Sequence, residues 1–175
     1  SAMGAKYERI DGGDTIRIKG VDFTKAAPET ALNCRESGST IRFFIPPALL
    51  SGSTVMFRGS ETLMKRPMDV YKKICDDGKM LFIQDGNSIV TKGKLTSGNY
   101  TVVGNISSQF ISGLLFALPM CEGNSTVNII PPIESRSYIE LTLSALAFFL
   151  CRNLDKRKSE VASSIDEQGK WSAEI

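Results

Sequence analysis

The apolar and polar positions of the chain follow one pattern that occurs more than once. Residues 101–103 read as a strand, an apolar run of helix length follows over about 107–119, and residues 126–130 read as a second strand. A second helix is expected after residue 134, ending at about residue 149. One unit is therefore predicted to run strand, helix, strand, helix, and a two-stranded hairpin is expected to close it.

Similar sequence segments recur about 70 residues apart. "GAKYERIDGGDTIRIKG" (4–20) matches "GKMLFIQDGNSIVTKG" (78–93), and each holds two extended stretches around an Asp-Gly turn, which is typical of a hairpin. "ESGSTIRFFIPPALLSGSTVMFRG" (36–59) matches "ISSQFISGLLFALPMCEGNSTVNII" (106–130). "KRPMDVYKKICDDG" (65–78) matches "SRSYIELTLSALAFF" (135–149). One supersecondary block is therefore used repeatedly.

This repeat predicts an α+β fold of βαβαββ units over residues 4–150, with the first unit truncated to its closing hairpin. The amino terminus is accordingly expected to lie within a larger protein. Residues 1–3 read as a cloning remnant. Residues 152–175 are polar and match the repeat poorly, so we expect a partly mobile tail or a final hairpin there.

Composition narrows the class of protein. The chain has 175 residues, of which 42% are hydrophobic and 23% are charged, which is an ordinary globular balance. A net charge of +2 is too small to favour a nucleic-acid or membrane partner. No export signal opens the chain and no apolar run is long enough to span a bilayer, so a cytoplasmic location is expected.

Histidine is absent, which excludes a Ser-His or Cys-His nucleophile pair and a histidine metal site within this chain. The four cysteines have no metal-ligand spacing. We expect reduced thiols in or near the core, with a disulfide as the alternative. No metal or cofactor is expected.

The start of the helix near residue 107 carries the first candidate site. Ser107 and Ser108 stand side by side and Gln109 follows them. One hydroxyl is enough to cap a helix, whereas free first-turn amides and the helix dipole also favour a bound anion. Capping alone and ligand binding both remain open from these residues.

Two further predicted helix starts carry similar groups. Gly38 lies in a small polar turn, "ESGS", where a backbone without a Cβ lets a ligand approach closely. Arg66 precedes Pro67, which suits the first position of a helix, and its guanidinium matches a carboxylate or phosphate. For the turn at Gly38 the alternative is a plain helix cap. For Arg66 the alternative is that it and Lys65 form a solvated basic pair without a ligand.

The fourth start, "ESRSYIE", offers Ser135, Arg136 and Tyr138 as hydrogen-bond donors to an oxyanion. Each of the four signals is modest by itself. Their recurrence in one repeated architecture predicts that they converge on one face if the repeats pack around a pseudo-threefold axis.

These motifs resemble the 5-enolpyruvylshikimate-3-phosphate synthase family. "NISSQFISGLLFALP" is similar to its Ser-Ser-Gln helix start, and "CRESGSTIRF" to its Asn-Ser/Ala-Gly-Thr-x-x-Arg turn. "LMKRP" resembles its Met-Lys-x-Arg-Pro loop, and "ESRSYIELTL" its Ser-Lys-Pro-Tyr-Ile-x-Ile-Thr segment. The resemblance covers about residues 4–149. It implies one domain of the enolpyruvyl transferase fold, with repeated βαβαββ units around a pseudo-threefold axis and helices buried inside.

The resemblance also implies a function: transfer of an enolpyruvyl group from phosphoenolpyruvate to shikimate 3-phosphate. The implied shikimate 3-phosphate site is Ser107, Ser108, Gln109, Ser135 and Tyr138, with the first two and Ser135 on the phosphate. The implied phosphoenolpyruvate side, where glyphosate also binds, is Gly38, Arg66 and Gln109. Both substrates and the missing second domain of the same enzyme are the implied partners.

Several positions depart from the family pattern. Glu36 stands in place of the common Asn and disfavours an anionic ligand, Ser39 replaces Thr, and Arg136 and Ser137 replace Lys-Pro. The amino-terminal Ser-Lys-Ser segment and the second domain with its acid/base carboxylate are absent from these 175 residues. Since the reaction needs a general acid/base, the chain alone is expected to bind substrate without turnover.

Two alternatives stay open. A non-catalytic binding module of the same fold is supported by Glu36. A domain like UDP-N-acetylglucosamine enolpyruvyl transferase is disfavoured. That relative lacks the Ser-Ser-Gln helix start and uses a cysteine in a basic loop as a catalytic group, and none of the four cysteines of this chain lies in the basic loop.

Overall fold

The computed structural model describes residues 3–25, 30–153, 162–165 and 171–175. The helices are α1 (Gly38–Ala48), α2 (Glu61–Met64), α3 (Asp69–Asp77), α4 (Ser108–Ala117) and α5 (Arg136–Asn153). The strands are β1 (Lys6–Ile10), β2 (Thr15–Lys19), β3 (Thr30–Asn33), β4 (Val55–Arg58), β5 (Leu81–Gln84), β6 (Ser88–Lys92), β7 (Asn99–Val103), β8 (Thr126–Ile130), β9 (Ala162–Ile165) and β10 (Trp171–Glu174).

Two four-stranded sheets have the same topology. One has the strand order β3-β4-β6-β5 and the other β7-β8-β10-β9. In each sheet the first two strands are parallel and the remaining pairs are antiparallel. Helices connect the strands in the same places, so each unit is βαβαββ, which confirms the predicted repeat.

The hairpin β1–β2 forms a separate two-stranded sheet. Its apolar side chains Tyr7, Ile16 and Ile18 are all exposed. The hairpin occupies the sequence position of β5–β6 in the repeat, as the matching letters predicted. In the region 152–175, strands β9 and β10 pair in an antiparallel arrangement. Residues 154–161 and 166–170 of this region lie outside the described part of the chain.

The core is built around α1 and α4. In α4 every residue except Gln109 and Phe116 is buried, so this helix lies in the interior rather than on a surface. Strands β4, β6 and β8 bury alternate residues, so each of the two large sheets turns one face towards the core.

At Gly113, helix α4 lies very close to both α1 and α3. A Cβ built on Gly113 would lie 2.3 Å from the hydroxyl oxygen of Tyr71 and 2.4 Å from the carbonyl oxygen of Arg42. These separations are shorter than any real Cβ contact, so only glycine fits at this position.

Some details differ from the sequence-based expectation. Helix α3 begins at Asp69 with Met68 as its cap, so Pro67 precedes the helix instead of opening it. Helix α5 extends to Asn153, because no glycine or proline interrupts residues 136–153. Met3, assigned above to a cloning remnant, is buried in the apolar core.

Three cysteines, Cys34, Cys75 and Cys121, are buried in the core, as expected, and Cys34 and Cys75 are free thiols. Cys151 lies where the side chains are outside the described part of the structure. Within the described residues, no helix combines the length and the apolar character that crossing a bilayer requires. The same residues contain no cluster of three potential metal ligands.

Candidate functional site

The helix starts of each unit lie at one edge of its sheet. Because β3 and β4 are parallel, and β7 and β8 are parallel, the segments that follow both strands of a pair leave the same edge. Backbone hydrogen bonds tie these segments together: the amide of Cys34 donates to the carbonyl of Arg58, and that of Gly104 to the carbonyl of Ile130, both at 2.7 Å. The two units thus use equivalent bonds at equivalent places.

Hydrogen bonds also join the helix starts of the two units. Nη1 of Arg42 on α1 donates to Oε1 of Gln109 on α4 at 3.0 Å. Nε2 of the same Gln109 side chain donates to Oγ of Ser39 at 2.7 Å. The structure therefore brings the amino-terminal ends of α1 and α4 together.

Serine hydroxyls cap both of these helices. Oγ of Ser37 accepts from the amide of Thr40 at 3.1 Å, and Oγ of Ser107 accepts from the amide of Gln109 at 3.4 Å. Ser108, the first residue of α4, is buried with 9% of its surface exposed, whereas Ser107 is exposed. Capping accounts for one of the two neighbouring hydroxyls and leaves the other without that role.

Arg66 reaches the start of α1 from the loop between α2 and α3. A Cβ built on Gly38 would lie 2.8 Å from Nη1 of Arg66 and 3.6 Å from Nη1 of Arg42, so both guanidinium groups lie beside this glycine. The loop is held by Gln84 of β5, whose Nε2 donates to the carbonyl oxygens of Met64 at 2.6 Å and Arg66 at 2.8 Å.

The site carries two positively charged guanidinium groups. Burial lowers the pKa of the Arg42 guanidinium below its ordinary value, and the positive charge of Arg66 lowers it further. In the described part of the chain, neither Arg42 nor Arg66 forms a salt bridge with a carboxylate. Two neighbouring guanidinium groups with free donors at two helix starts form a surface suited to an anion.

Glu36 lies in the exposed turn just before α1. No salt bridge of the described residues joins it to either of these arginines. Its charge is therefore near the start of α1 without neutralising the guanidinium groups.

Ser135 and Tyr138 lie at the beginning of α5. Ser135 has a positive φ of 57° and Tyr138 is 65% exposed. Helix α5 contacts α4 through the hydroxyls of Ser112 and Thr142, which are 2.8 Å apart. The hydrogen bonds of the described residues do not connect Ser135 or Tyr138 with Gln109 or Arg66, so these two side chains are not part of that hydrogen-bonded cluster.

Arg136, the third candidate at the beginning of α5, is paired with a carboxylate of the same helix. Its Nε donates to Oε1 of Glu140 at 2.7 Å, one helical turn further along α5.

Arg42, Tyr71 and Gln84 were not among the predicted site residues. A signal for Arg42 does exist, because it follows Gly38 by four positions and Ser39 by three and so shares their helix face. The roles of Tyr71 and Gln84 depend on contacts between distant segments, for which the local pattern carries no signal.

Comparison with known proteins agrees with this architecture. The family model described as EPSP synthase (3-phosphoshikimate 1-carboxyvinyltransferase) matches residues 1–157. The 3-phosphoshikimate 1-carboxyvinyltransferase of Brachyspira hyodysenteriae is 47% identical over 118 residues, which are 67% of this chain and 28% of the relative. The enzyme of the same name from Clostridium beijerinckii is 40% identical over 157 residues, which are 85% of this chain and 36% of the relative.

The chain spans about a third of the length of the curated relatives it matches. A solved EPSP synthase from Acinetobacter baumannii superimposes with a TM-score of 0.65 and 22% identity, covering 98% of this chain and 36% of that one. This likeness shows the fold. Since the family model covers most of the chain and the βαβαββ repeat agrees with a solved member, the chain belongs to the EPSP synthase (3-phosphoshikimate 1-carboxyvinyltransferase) family.

Proposed function

We propose that this chain forms the shikimate 3-phosphate half of the cleft of a transferase. The transferase moves an enolpyruvyl group from phosphoenolpyruvate to shikimate 3-phosphate. Membership of the family supports the reaction class, and the names of the matched relatives support the substrates.

The observation that carries the proposal is the pair of guanidinium groups of Arg42 and Arg66. They lie beside Gly38 and, among the described residues, have no carboxylate partner. Both proposed substrates are phosphate esters, and phosphoenolpyruvate also has a carboxylate, so each is an anion that would offset this charge.

The proposed roles follow the family motifs. Ser107, Ser108 and Ser135 bind the phosphate of shikimate 3-phosphate, and Tyr138 binds the same substrate. Gly38 and Arg66 form the phosphoenolpyruvate side. Gln109 touches both substrates, and its bonds to Ser39 and Arg42 support a position between the two helix starts.

Catalysis is proposed to need more than this chain. Protonation of the methylene carbon of phosphoenolpyruvate, attack by a hydroxyl of shikimate 3-phosphate, and loss of phosphate and a proton to leave the enol ether together require a general acid/base. The arginines and hydroxyls of the cluster bind anions but exchange no proton readily near neutral pH. We therefore propose a second domain of the same enzyme as the partner, and substrate binding without turnover by this chain alone.

Titration calorimetry with shikimate 3-phosphate tests the proposal. Replacing Ser107 and Ser108 together by Ala should lower the affinity by at least about tenfold, since each lost hydrogen bond to a charged group costs about 1.5–3 kcal/mol. Ser144→Ala, an exposed hydroxyl on α5, is the matched control and should bind like the wild type. No heat with the wild-type chain, or equal affinity for the double variant, would refute the proposal.

Loss of the helix cap is separated from loss of the ligand contact by Ser107→Asp. Aspartate is as good a cap as serine and is favoured by the helix dipole, so the stability of α4 should be kept. Its negative charge should nevertheless repel the phosphate and abolish measurable binding. Retained binding by this variant would place the phosphate away from Ser107.

A non-catalytic binding module of the same fold is the second candidate, and it is favoured by the exposed carboxylate of Glu36, which forms no salt bridge with any described residue. The two functions differ in what Glu36→Gln does. For the transferase, removing a negative charge beside the site should raise the affinity for phosphoenolpyruvate by about two- to fivefold. A chain that ignores both phosphorylated substrates before and after this change would support the module.

A further inference from the structure

Arg42 belongs to α1, but its side chain is bound to α4. Its Nη1 donates to Oε1 of Gln109 at 3.0 Å, and its Cζ lies 4.8 Å from the centre of the Phe110 ring. Gln109 and Phe110 are consecutive residues of α4, so a hydrogen bond and a cation–π contact hold one guanidinium along one turn of the neighbouring helix.

These contacts define the orientation of the Gln109 amide. A guanidinium has donors and no acceptor, so it can only face the oxygen end of the amide. The nitrogen end then turns to Oγ of Ser39, which it meets at 2.7 Å. In the hydrogen bonds of the described residues, Arg42 is the donor that reaches Oε1, so no other side chain there determines which way the amide points.

Among the described residues, no carboxylate draws the Arg42 guanidinium away from Gln109. It forms no salt bridge within the described residues, and its Nε is buried without a hydrogen-bond partner there. Arg66, whose guanidinium also lies beside Gly38, repels Arg42 and so favours its contacts with α4.

We propose that Arg42 is a positioning residue that acts through Gln109, orienting the amide of a side chain that contacts both substrates. This inference rests on the proposed function of Gln109. With the amide fixed in this way, Gln109 has one free hydrogen on Nε2 and one free lone pair on Oε1. It can then donate to a phosphate or carboxylate oxygen and accept from a hydroxyl of shikimate 3-phosphate at the same time. A flipped amide would exchange these two ends.

A double-mutant cycle tests whether Arg42 acts through Gln109 or by its own charge. Arg42→Met keeps the length of the side chain, helix propensity and a contact with Phe110, but removes the donors. We expect Arg42→Met to lower the affinity for shikimate 3-phosphate about tenfold in the wild-type chain. In the Gln109→Ala background it should change the affinity only about two- to threefold, because the side chain that it positions is already absent and only the loss of its positive charge remains.

The same tenfold loss in both backgrounds would show that Arg42 contacts the ligand directly, and would overturn the inference. Arg42→Lys keeps the charge without the planar fork, so it should restore only part of the affinity. Full rescue by lysine would likewise argue for charge alone. Arg17→Met, on the exposed β1–β2 hairpin, is the matched control and should bind as the wild type does.

A measurement without ligand separates this inference from the proposed function. Solvent exchange of the Gln109 side-chain amide hydrogens can be followed by NMR in the unliganded 175-residue chain. Arg42→Met should speed this exchange at least several-fold, because the amide is released, whereas Arg17→Met should leave it unchanged. Unchanged exchange in Arg42→Met overturns the inference. Faster exchange with no binding of shikimate 3-phosphate by the wild type supports the inference and refutes the proposed function.

Discussion

The hydroxyl of Tyr71 donates to the backbone carbonyl oxygen of Arg42 at 2.6 Å, and it lies 3.0 Å from the carbonyl oxygen of Phe110. Pro46 stands four positions after Arg42 in α1 and has no N–H, so the Arg42 carbonyl lacks its usual helical donor. Tyr71, on α3 and only 1% exposed, supplies that donor. One buried hydroxyl therefore compensates a proline and fixes α1 against α4 just below the candidate site.

Tyr71→Phe should lower the free energy of unfolding by about 1–3 kcal/mol, because it leaves the Arg42 carbonyl buried without a donor. Urea denaturation followed by circular dichroism measures this change. The control is Tyr7→Phe on the exposed hairpin, where the expected change is within about 0.5 kcal/mol. Equal stability of the two variants would show that the Tyr71 hydroxyl bond contributes nothing.

Gly113→Ala should destabilise the chain by about 2 kcal/mol or more. The new methyl group would meet the Tyr71 hydroxyl at 2.3 Å and the Arg42 carbonyl at 2.4 Å, and one of these is rigid backbone. The gain in helix propensity, at most about 1 kcal/mol, is too small to offset this clash. Thermal or urea unfolding provides the measurement.

Gly20→Ala is the matched control, since a Cβ there has nothing within 4 Å. It should unfold within about 0.5 kcal/mol of the wild type. A Gly113→Ala chain as stable as this control would contradict the close helix approach.

Gly38→Ala should behave differently from Gly113→Ala, because the atom nearest to the new methyl is the mobile end of a side chain. That atom, Nη1 of Arg66 at 2.8 Å, can move aside. Stability should therefore stay within about 0.5 kcal/mol of the wild type, while the affinity for phosphoenolpyruvate should fall several-fold as the guanidinium is displaced.

NMR titration that follows the Arg66 Nε–Hε resonance gives both readings for this variant. The resonance should shift in the free variant and respond less to the ligand. An unshifted resonance together with unchanged affinity would rule out the contact between Gly38 and Arg66 as a determinant of binding.

Cys75 should make stability depend on pH under alkaline conditions. Burial, and secondarily the Asp76 carboxylate, raise the pKa of the Cys75 thiol from 9.0 to about 11. Between these values the unfolded chain loses the thiol proton while the folded chain keeps it, so the free energy of unfolding falls as pH rises. This contribution is fully present below about pH 9 and is lost as pH rises through about 11, at most about 1.4 kcal/mol per pH unit.

Urea unfolding of the wild type and of Cys75→Ala between about pH 8 and 11 isolates this contribution from other groups. The small cavity of the variant lowers stability equally at every pH, so only the slope is diagnostic. The free energy of unfolding of the wild type should fall more steeply with pH than that of Cys75→Ala. Parallel dependences on pH would mean that the Cys75 thiol titrates alike in the folded and the unfolded state.

Much of the fold was accessible from local sequence. Strand β8 occupies the predicted residues 126–130, and the hairpins β1–β2 and β5–β6 lie around the two Asp-Gly turns. Alternation and helical periodicity report which face of an element is buried, and the repeat shows that two segments share one topology. Helix ends were less predictable: α4 ends at Ala117 and α5 at Asn153, because end positions depend on packing as well as on caps.

The candidate site was predictable only in part. The positions of Ser107 and Gly38 at helix starts, and of Arg66 in the loop before α3, follow from their neighbours in the chain. The environment of Ser135 and Tyr138, and the ion pair of Arg136, follow from how α5 packs and were not evident from the motif.

By itself, the sequence determined the βαβαββ repeat, the family to which the motifs point, and which small or charged residues stand at the helix starts. These properties depend on neighbours within a few positions or on the match between two segments. Tertiary structure alone decided that Arg42 meets Gln109, that Tyr71 donates to the Arg42 carbonyl, and that Arg66 lies beside Gly38. The physical reason is that each of these contacts joins separate elements, whose distances are set by how closely the helices pack.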